Sequence, residues 1–313
     1  MQRQVVKFGY NFLLIFLPLL VLFSITEYKA RRLPNTYARK KANFERIHDS
    51  VEVLILGSSH ALKGIDPDYF SLRGFNFSNS SQTLFYDTRL CLKYLNEMPR
   101  LKIVIVELNY ISFQFELSGS PEGWRDYFYY HYFGIRYPAL DLFTPAGLTY
   151  SALYTKGLLK DLFLGIVNDR KEFGDVQANG WEKTHAPDDS LTISDKTGLE
   201  RVRLHNAIIS PANQVRTEQY LGEMIRKLIP RSVRVLFVSA PVYKTYAKFL
   251  NPSTERQNRA IIDRLCSKYG VAYYDFTRDT GYARGDFYDN DHLNAKGAEK
   301  FSRRLDKIII ASP

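Results

Sequence analysis

Five short apolar runs punctuate the chain: Val51–Leu56 (VEVLIL), Phe75–Phe77, Leu101–Leu108 (LKIVIVEL), Val233–Ser239 (VRVLFVS) and Val271–Phe276 (VAYYDF). The strongest are apolar and β-branched on successive residues rather than alternate ones, the pattern of strands covered on both faces. Helical patterns lie between or after them, at Gln82–Glu97, Arg216–Leu228, Ser253–Tyr269 and from Ala295 to about Ile310. Strands alternating with helices predict an α/β fold with a central parallel sheet and helices on both faces. No internal repeat or low-complexity tract interrupts this rhythm.

One stretch breaks it. Residues 111–215 separate two strands that a single crossover would join in far fewer residues, so they read as an insertion. Trp124–Leu164 is dense in aromatics, among them Tyr127, Phe128, Tyr129, Tyr130, Tyr132 and Phe133. Packing and a binding platform are equally open readings there. Asp169–Ser210 is polar and reads as loop.

The N-terminus carries a second constraint. Phe8 to Thr26 contains no charged residue. As a helix those 19 residues would rise about 28 Å, close to the roughly 30 Å of a bilayer's hydrocarbon core. A secretory signal peptide is the competing reading, but the run is longer than the usual apolar region and no small-x-small cleavage site precedes Glu27. An uncleaved anchor over residues 1–26 is expected, with Pro18 tolerable inside it. Residues 27–50 read as a polar, basic linker or short helix, and 51–313 as the α/β domain. Lys29, Arg31, Arg32, Arg39, Lys40 and Lys41 form a juxtamembrane basic cluster. Counted naively, these charges would retain the large domain in the cytoplasm, although long domains translocate regardless of flanking charge.

Composition narrows the class. With 45% hydrophobic and 24% charged residues the chain is too apolar to be disordered. The formal charge of +10 raises nucleic acid as a partner, yet no zinc-finger, homeodomain or RNA-recognition signature accompanies it. A membrane surface accounts for the N-terminal basic cluster better, and no nucleic-acid role is expected. Cys91 and Cys266 are too few for a disulfide scaffold or a cysteine zinc site and read as small buried thiols on helices.

Two short motifs carry chemistry. Gly57-Ser58-Ser59-His60 follows the first strand directly, which puts a serine hydroxyl at the carboxyl edge of the sheet beside a helix N-terminus. The same string is also a common turn and cap sequence. Asp289-Asn290-Asp291-His292-Leu293-Asn294-Ala295-Lys296-Gly297 precedes the last helix. An Asp and a His three apart on a turn can pair, the carboxylate fixing the imidazole tautomer. Asp289, Asp291 and His292 are also potential metal ligands, but an EF-hand starting at Asp289 would have Asn294 and Lys300 where Gly and Glu are needed. No metal and no cofactor is expected. His131 and His205 have no evident partner and read as structural or surface residues.

Together these motifs resemble the SGNH (GDSL-type) hydrolase superfamily, over roughly residues 50–310. The resemblance implies a flavodoxin-like three-layer α/β/α fold and four short blocks in fixed order. Gly57-Ser58-Ser59-His60 stands at the first block, which makes Ser59 the nucleophile. Asn76-Phe77-Ser78-Asn79-Ser80-Ser81-Gln82-Thr83 keeps the Asn and Thr of the second block, with Ser at both glycine positions. Glu107-Leu108-Asn109 matches the third without its glycine, and Asp289 and His292 form the fourth intact. The roles implied are Ser59 nucleophile, His292 base, Asp289 orienting it, and an oxyanion hole from the amides of Ser59 and Ser81 with the Asn109 side chain. His60 and Glu107 are candidate substrate contacts; Glu107 is alternatively a charge that acts on His292 or repels an anion.

Anchor and site together resemble the membrane-anchored proteins of alginate O-acetylation and teichoic-acid D-alanyl transfer. That resemblance implies an extracytoplasmic domain on a bacterial inner membrane. It also implies an ester hydrolase or O-acyltransferase acting on a surface polysaccharide or glycopolymer, with a multispanning acyltransferase as partner. The rival expectation is a catalytically inactive scaffold or glycan-binding subunit, which the missing block glycines favour.

Overall fold

A computed structural model describes residues 2–154, 175–184 and 193–311. The chain divides into two compact units, Met1–Asn35 with Pro138–Phe173, and Thr36–Tyr137 with Gly174–Pro313.

The first unit is built on helix α1 (Gln2–Ala30), which holds Pro18 and contains a window of mean hydropathy 2.2 with none of it buried. It is long and apolar enough to cross a membrane. Its serine and threonine hydroxyls bond within the helix, Ser24 Oγ to Leu20 O and Thr26 Oγ1 to Leu22 O.

The second unit contains the sheet. Its elements before the insertion are α2 (Thr36–Phe44), β1 (Val53–Leu56), α3 (Ser59–Gly64), β2 (Gly74–Asn76), α4 (Leu84–Tyr94) and β3 (Ile103–Glu107). Then come α5 (Arg125–Phe133), the small antiparallel pair β4 (Asp175–Val176) and β5 (Glu182–Lys183), and α6 (Asp195–Ile208). After them follow α7 (Gln214–Leu228), β6 (Arg234–Ser239), α8 (Lys244–Ala247), α9 (Pro252–Tyr269), β7 (Ala272–Asp275) and α10 (Ala295–Ala311).

The five sheet strands lie in the order β2-β1-β3-β6-β7, every pair parallel. All five predicted strands are present, and this is the α/β fold expected from the alternation. Register explains the continuous apolar runs. Ile55 pairs with Ile105 and Ile105 with Leu236, and these three face the layer that holds Phe301, Leu305 and Ile309 of α10. Their neighbours Leu54, Val104 and Val235 point to the opposite face, because successive strand residues alternate. Both faces are therefore buried, in a three-layer α/β/α arrangement. The chain steps from β1 out to β2 and then back past β1 to β3, so the sheet's switch point falls between the carboxyl ends of β1 and β3. Open α/β sheets bind ligands at such a crevice.

The insertion differs from the sequence reading in one respect. The end of its aromatic half and part of its polar half, at 155–174 and 185–192, lie outside the described residues, but residues 195–208 form α6 rather than loop. A capping box of Ser194 and Thr197 starts the helix. Its buried stripe is Gly198, Val202 and His205, which carries little apolar periodicity. In the aromatic half packing accounts for the most buried rings: Tyr129 stacks on Tyr86 with centroids 3.7 Å apart, and Phe128 stacks on Tyr37. Cys91 is buried on α4, whereas Cys266 on α9 is only half-buried.

Candidate active site

The turn after β1 places the first functional group. Gly57 has φ of +137° and its α-carbon faces Glu107 so closely that a Cβ would lie 2.7 Å from Glu107 Cβ, so no other residue fits. Its N–H donates to Asp87 Oδ1 at 2.9 Å. Ser58 is the N-cap of α3, and Ser59 is the first residue of the helix. The Ser59 amide thus belongs to the first turn, where N–H groups have no intrahelical acceptor.

The loop before α10 brings the second. Asp289 Oδ1 accepts from the backbone amides of Asp291 (3.0 Å) and His292 (2.8 Å), closing a tight turn, and Asp289 Oδ2 lies 2.9 Å from His292 Nδ1. Burial opposes ionisation of Asp289, but His292 and these amides prevail and hold its carboxyl well below the usual carboxylate range. The carboxylate keeps the proton on Nδ1 and leaves the Nε2 lone pair free. His292 Nε2 lies 2.7 Å from Ser59 Oγ. Asn294 secures the loop from below, donating to Gly285 O and Phe287 O and accepting from Gly297 N.

Ser59, Ser81 and Asn109 line one cavity of about 270 Å³. Ser81 takes the left-handed conformation, φ +57°, which glycine adopts most readily. Among the described residues neither the Ser59 nor the Ser81 amide has a hydrogen-bond partner in the protein. The loop carrying Ser81 is held from several sides. Asn76 Nδ2 donates to Ala61 O and Ile65 O, and Gln82 bridges Asp87 and the Tyr129 hydroxyl. Lys40 is wholly buried and donates Nζ to Asn76 O at 2.9 Å and to Ser78 O. This corrects its place in the basic juxtamembrane cluster: burial depresses its pKa well below an ordinary lysine, and it anchors this loop instead.

Asn109 Nδ2 donates to Ser58 Oγ at 2.8 Å and to Glu107 Oε2 at 3.3 Å. Its amide is therefore turned toward Ser58. Glu107 is 1% exposed, and burial pushes its carboxyl up to about 8. At neutral pH it is protonated, so it acts neither as an anion on His292 nor as a repulsive charge. Asp87, likewise buried, is pushed up to about 7.

A group from the insertion completes the surroundings. Arg201 Nε of α6 donates to Asp291 Oδ2 at 3.0 Å, and both Arg201 and His205 line the cavity. Asp291 is 1% exposed, and burial raises its carboxyl while His292 and Arg201 work against that. Of the two readings of His205, structural or surface, the fold shows the structural one. It is buried, 2.6 Å from the Tyr246 hydroxyl, and burial, with Arg201 close by, lowers it to about 3. His60 packs against the His292 ring with centroids 4.9 Å apart, and its Nδ1 lies 3.3 Å from Ser58 Oγ. Burial holds His60 well below the ordinary histidine value, so it is neutral. Arg201 and His205 were missed as site residues, and Asp291 was weighed only as a potential metal ligand of its motif. His131 lies on α5 and does not line the cavity.

His60, Asp291 and His292 present donor atoms within 4.8 Å of one another, the one grouping of metal-ligand type among the described residues. Both nitrogens of His292 are engaged with Ser59 and Asp289, and Asp291 is paired with a guanidinium. Asp291 Oδ1 is buried with no hydrogen-bond partner and lies 3.6 Å from His292 Nδ1.

No family model matches the chain, and no curated protein does either. Among solved structures it is similar to a protein of Bacteroides fragilis described as a proposed acylhydrolase, at 8% identity and a TM-score of 0.40. That similarity covers 91% of this chain and 94% of the other. At that degree of likeness nothing about chemistry follows.

Proposed function

We propose that this chain is a membrane-anchored serine esterase or O-acyltransferase that acts on acyl groups of a cell-surface polysaccharide or related glycopolymer. The observation that carries the reading is the continuous relay Ser59 Oγ–His292 Nε2–Asp289 at 2.7 and 2.9 Å, opening on a cavity with two unpartnered backbone amides. Ser59 Oγ attacks the ester carbonyl as its proton passes to His292 Nε2, and Asp289 stabilises the imidazolium that results. The oxyanion is held by the Ser59 and Ser81 amides, with Asn109 turning from Ser58 to donate as well. His292 returns the proton to the leaving alcohol, and an acyl-enzyme remains on Ser59. Water completes a hydrolase cycle and a sugar hydroxyl a transferase cycle, each giving its proton to His292, which passes it to Ser59 Oγ as the acyl–Oγ bond breaks. In this reading α1 is the anchor, the α/β unit is extracytoplasmic, and a multispanning acyltransferase is the source of acyl groups.

The test is covalent labelling of the full chain in detergent micelles with a fluorophosphonate, read by intact mass. One adduct on the parent chain, absent from Ser59→Ala and His292→Ala, supports the mechanism. A folded parent that takes no label refutes an activated serine and leaves an inactive scaffold in its place.

A further inference from the structure

Beyond the anchor, the first unit holds a feature with no part in catalysis. Glu27 is the first charged residue after the uncharged run of α1, which sets it where the helix would leave the hydrocarbon. Its carboxylate accepts from the backbone amides of Tyr150 (3.0 Å) and Ser151 (3.2 Å), and the Arg31 guanidinium lies over the Tyr150 ring, 5.0 Å from its centroid. Residues of the insertion are thereby tied to α1 at one defined level.

The segment leading to Tyr150 is closed by hydrogen bonds of its own. Phe143 N donates to Asp141 Oδ1, the Thr144 hydroxyl caps the single helical turn Pro145–Leu148, and Thr149 Oγ1 donates to Pro145 O. Gly147 sits so close to Leu142 O that a Cβ would be 2.3 Å away. What the segment leaves outside is apolar: Phe143 is 89% exposed and Leu148 62%. Phe143 is the most exposed large hydrophobic residue among those described. A loop that bonds several of its own amides and leaves its large side chains bare suits a lipid interface, where unsatisfied amides are costly and aromatic rings are favoured.

We infer that residues 141–149 form a foot that inserts Phe143 and Leu148 into the headgroup–acyl boundary of the bilayer that α1 spans. The foot rests on the reading of α1 as an anchor. Two attachment points, the helix and the foot, restrict rotation about the α1 axis and fix which side of the first unit faces the lipid.

Full-length chain carrying Phe143→Trp, and separately Leu148→Trp, would be reconstituted into phosphatidylcholine/phosphatidylglycerol vesicles brominated either near the headgroup or near the chain terminus. Fluorescence is read as the difference from the parent, whose Trp124 and Trp181 give a constant background. Blue-shifted emission with stronger quenching by the shallow bromines than the deep ones is expected at both positions. Emission that iodide quenches and bromolipid does not would overturn the foot. Leu13→Trp reports on the anchor: deep quenching there with none at position 143 refutes the foot alone, and no quenching at either refutes both.

Discussion

Gly198 offers a way to disturb the site from outside it. The residue lies on the face of α6 that meets α8, where a Cβ would stand 2.0 Å from Thr245 O and 2.6 Å from Thr245 C. A carbon–oxygen contact needs about 3.0–3.4 Å, so Gly198→Ala must drive the two helices apart by about 1 Å. Arg201 is the next residue down the same face. A retreat of that size stretches Arg201 Nε–Asp291 Oδ2 from 3.0 Å to about 4 Å and lengthens His205 Nδ1–Tyr246 Oη from 2.6 Å by as much, both past hydrogen-bonding range. The bond from Asn290 Nδ2 to Thr197 Oγ1, 2.8 Å, is strained as well, and Asn290 belongs to the loop that carries His292. Overpacking of this kind costs about 1–3 kcal/mol of stability. The catalytic penalty follows from misplacing the His292 loop, for which 1 Å is worth about 10²-fold in rate. The assay is the second-order rate of fluorophosphonate labelling, with thermal unfolding alongside. Gly285→Ala, where the added methyl meets nothing within 4 Å, is the control. Arg201→Met removes the guanidinium directly and should reproduce the labelling loss. Labelling of Gly198→Ala within about threefold of the parent would show that the α6–α8 contact does not hold the site, and the reasoning would fail.

Three further outcomes follow from the same geometry. Ser81→Gly should leave labelling intact and change stability by no more than about 1 kcal/mol, because relief of the left-handed backbone is offset by a looser unfolded chain. Ser81→Val, which cannot hold φ near +57°, should abolish labelling, and equal labelling of the two variants would refute the role given to that loop. Glu107→Gln tests a pH dependence of defined sign. The folded carboxyl, near 8 against an ordinary 4.5, binds a proton that the unfolded chain has released, so this group's contribution to stability falls as pH rises between those values. At about 1.4 kcal/mol per unit the full window is worth a few kcal/mol. Thermal unfolding should therefore show Glu107→Gln gaining on the parent from pH 5 to pH 8, to the extent of about a few kcal/mol, and a pH-independent difference would refute a buried, protonated Glu107.

Much of this protein is local. The strands were legible because a strand buried on both faces has to be apolar at every position, as in Val53–Leu56 and Ile103–Glu107, and no tertiary information is needed to see that. The pairing of Asp289 with His292 was legible for a similar reason, since three residues on one turn suffice to bring carboxylate and imidazole together. Gly57, too, marks its own turn.

Other features depend on residues that meet only after folding. Arg201 reaches Asp291 across 90 positions, and α6, which carries it, buries a glycine and a histidine rather than a stripe of leucines. Its pattern therefore looked like loop. Lys40 reads as a surface charge by composition, yet its ammonium ends between two carbonyls of a loop 36 and 38 residues away. The protonation of Glu107 was equally hidden, because a carboxyl's pKa is set by how completely the surrounding chain excludes water. The sequence by itself pointed to the strands, the layers and the pairing of Asp289 with His292, all of which follow from short-range pattern, while the strand order that sets the switch point came from the fold. The folded structure alone decided which charges are paired, which are neutral and which amides stay unpartnered, because these are set by long-range packing and desolvation.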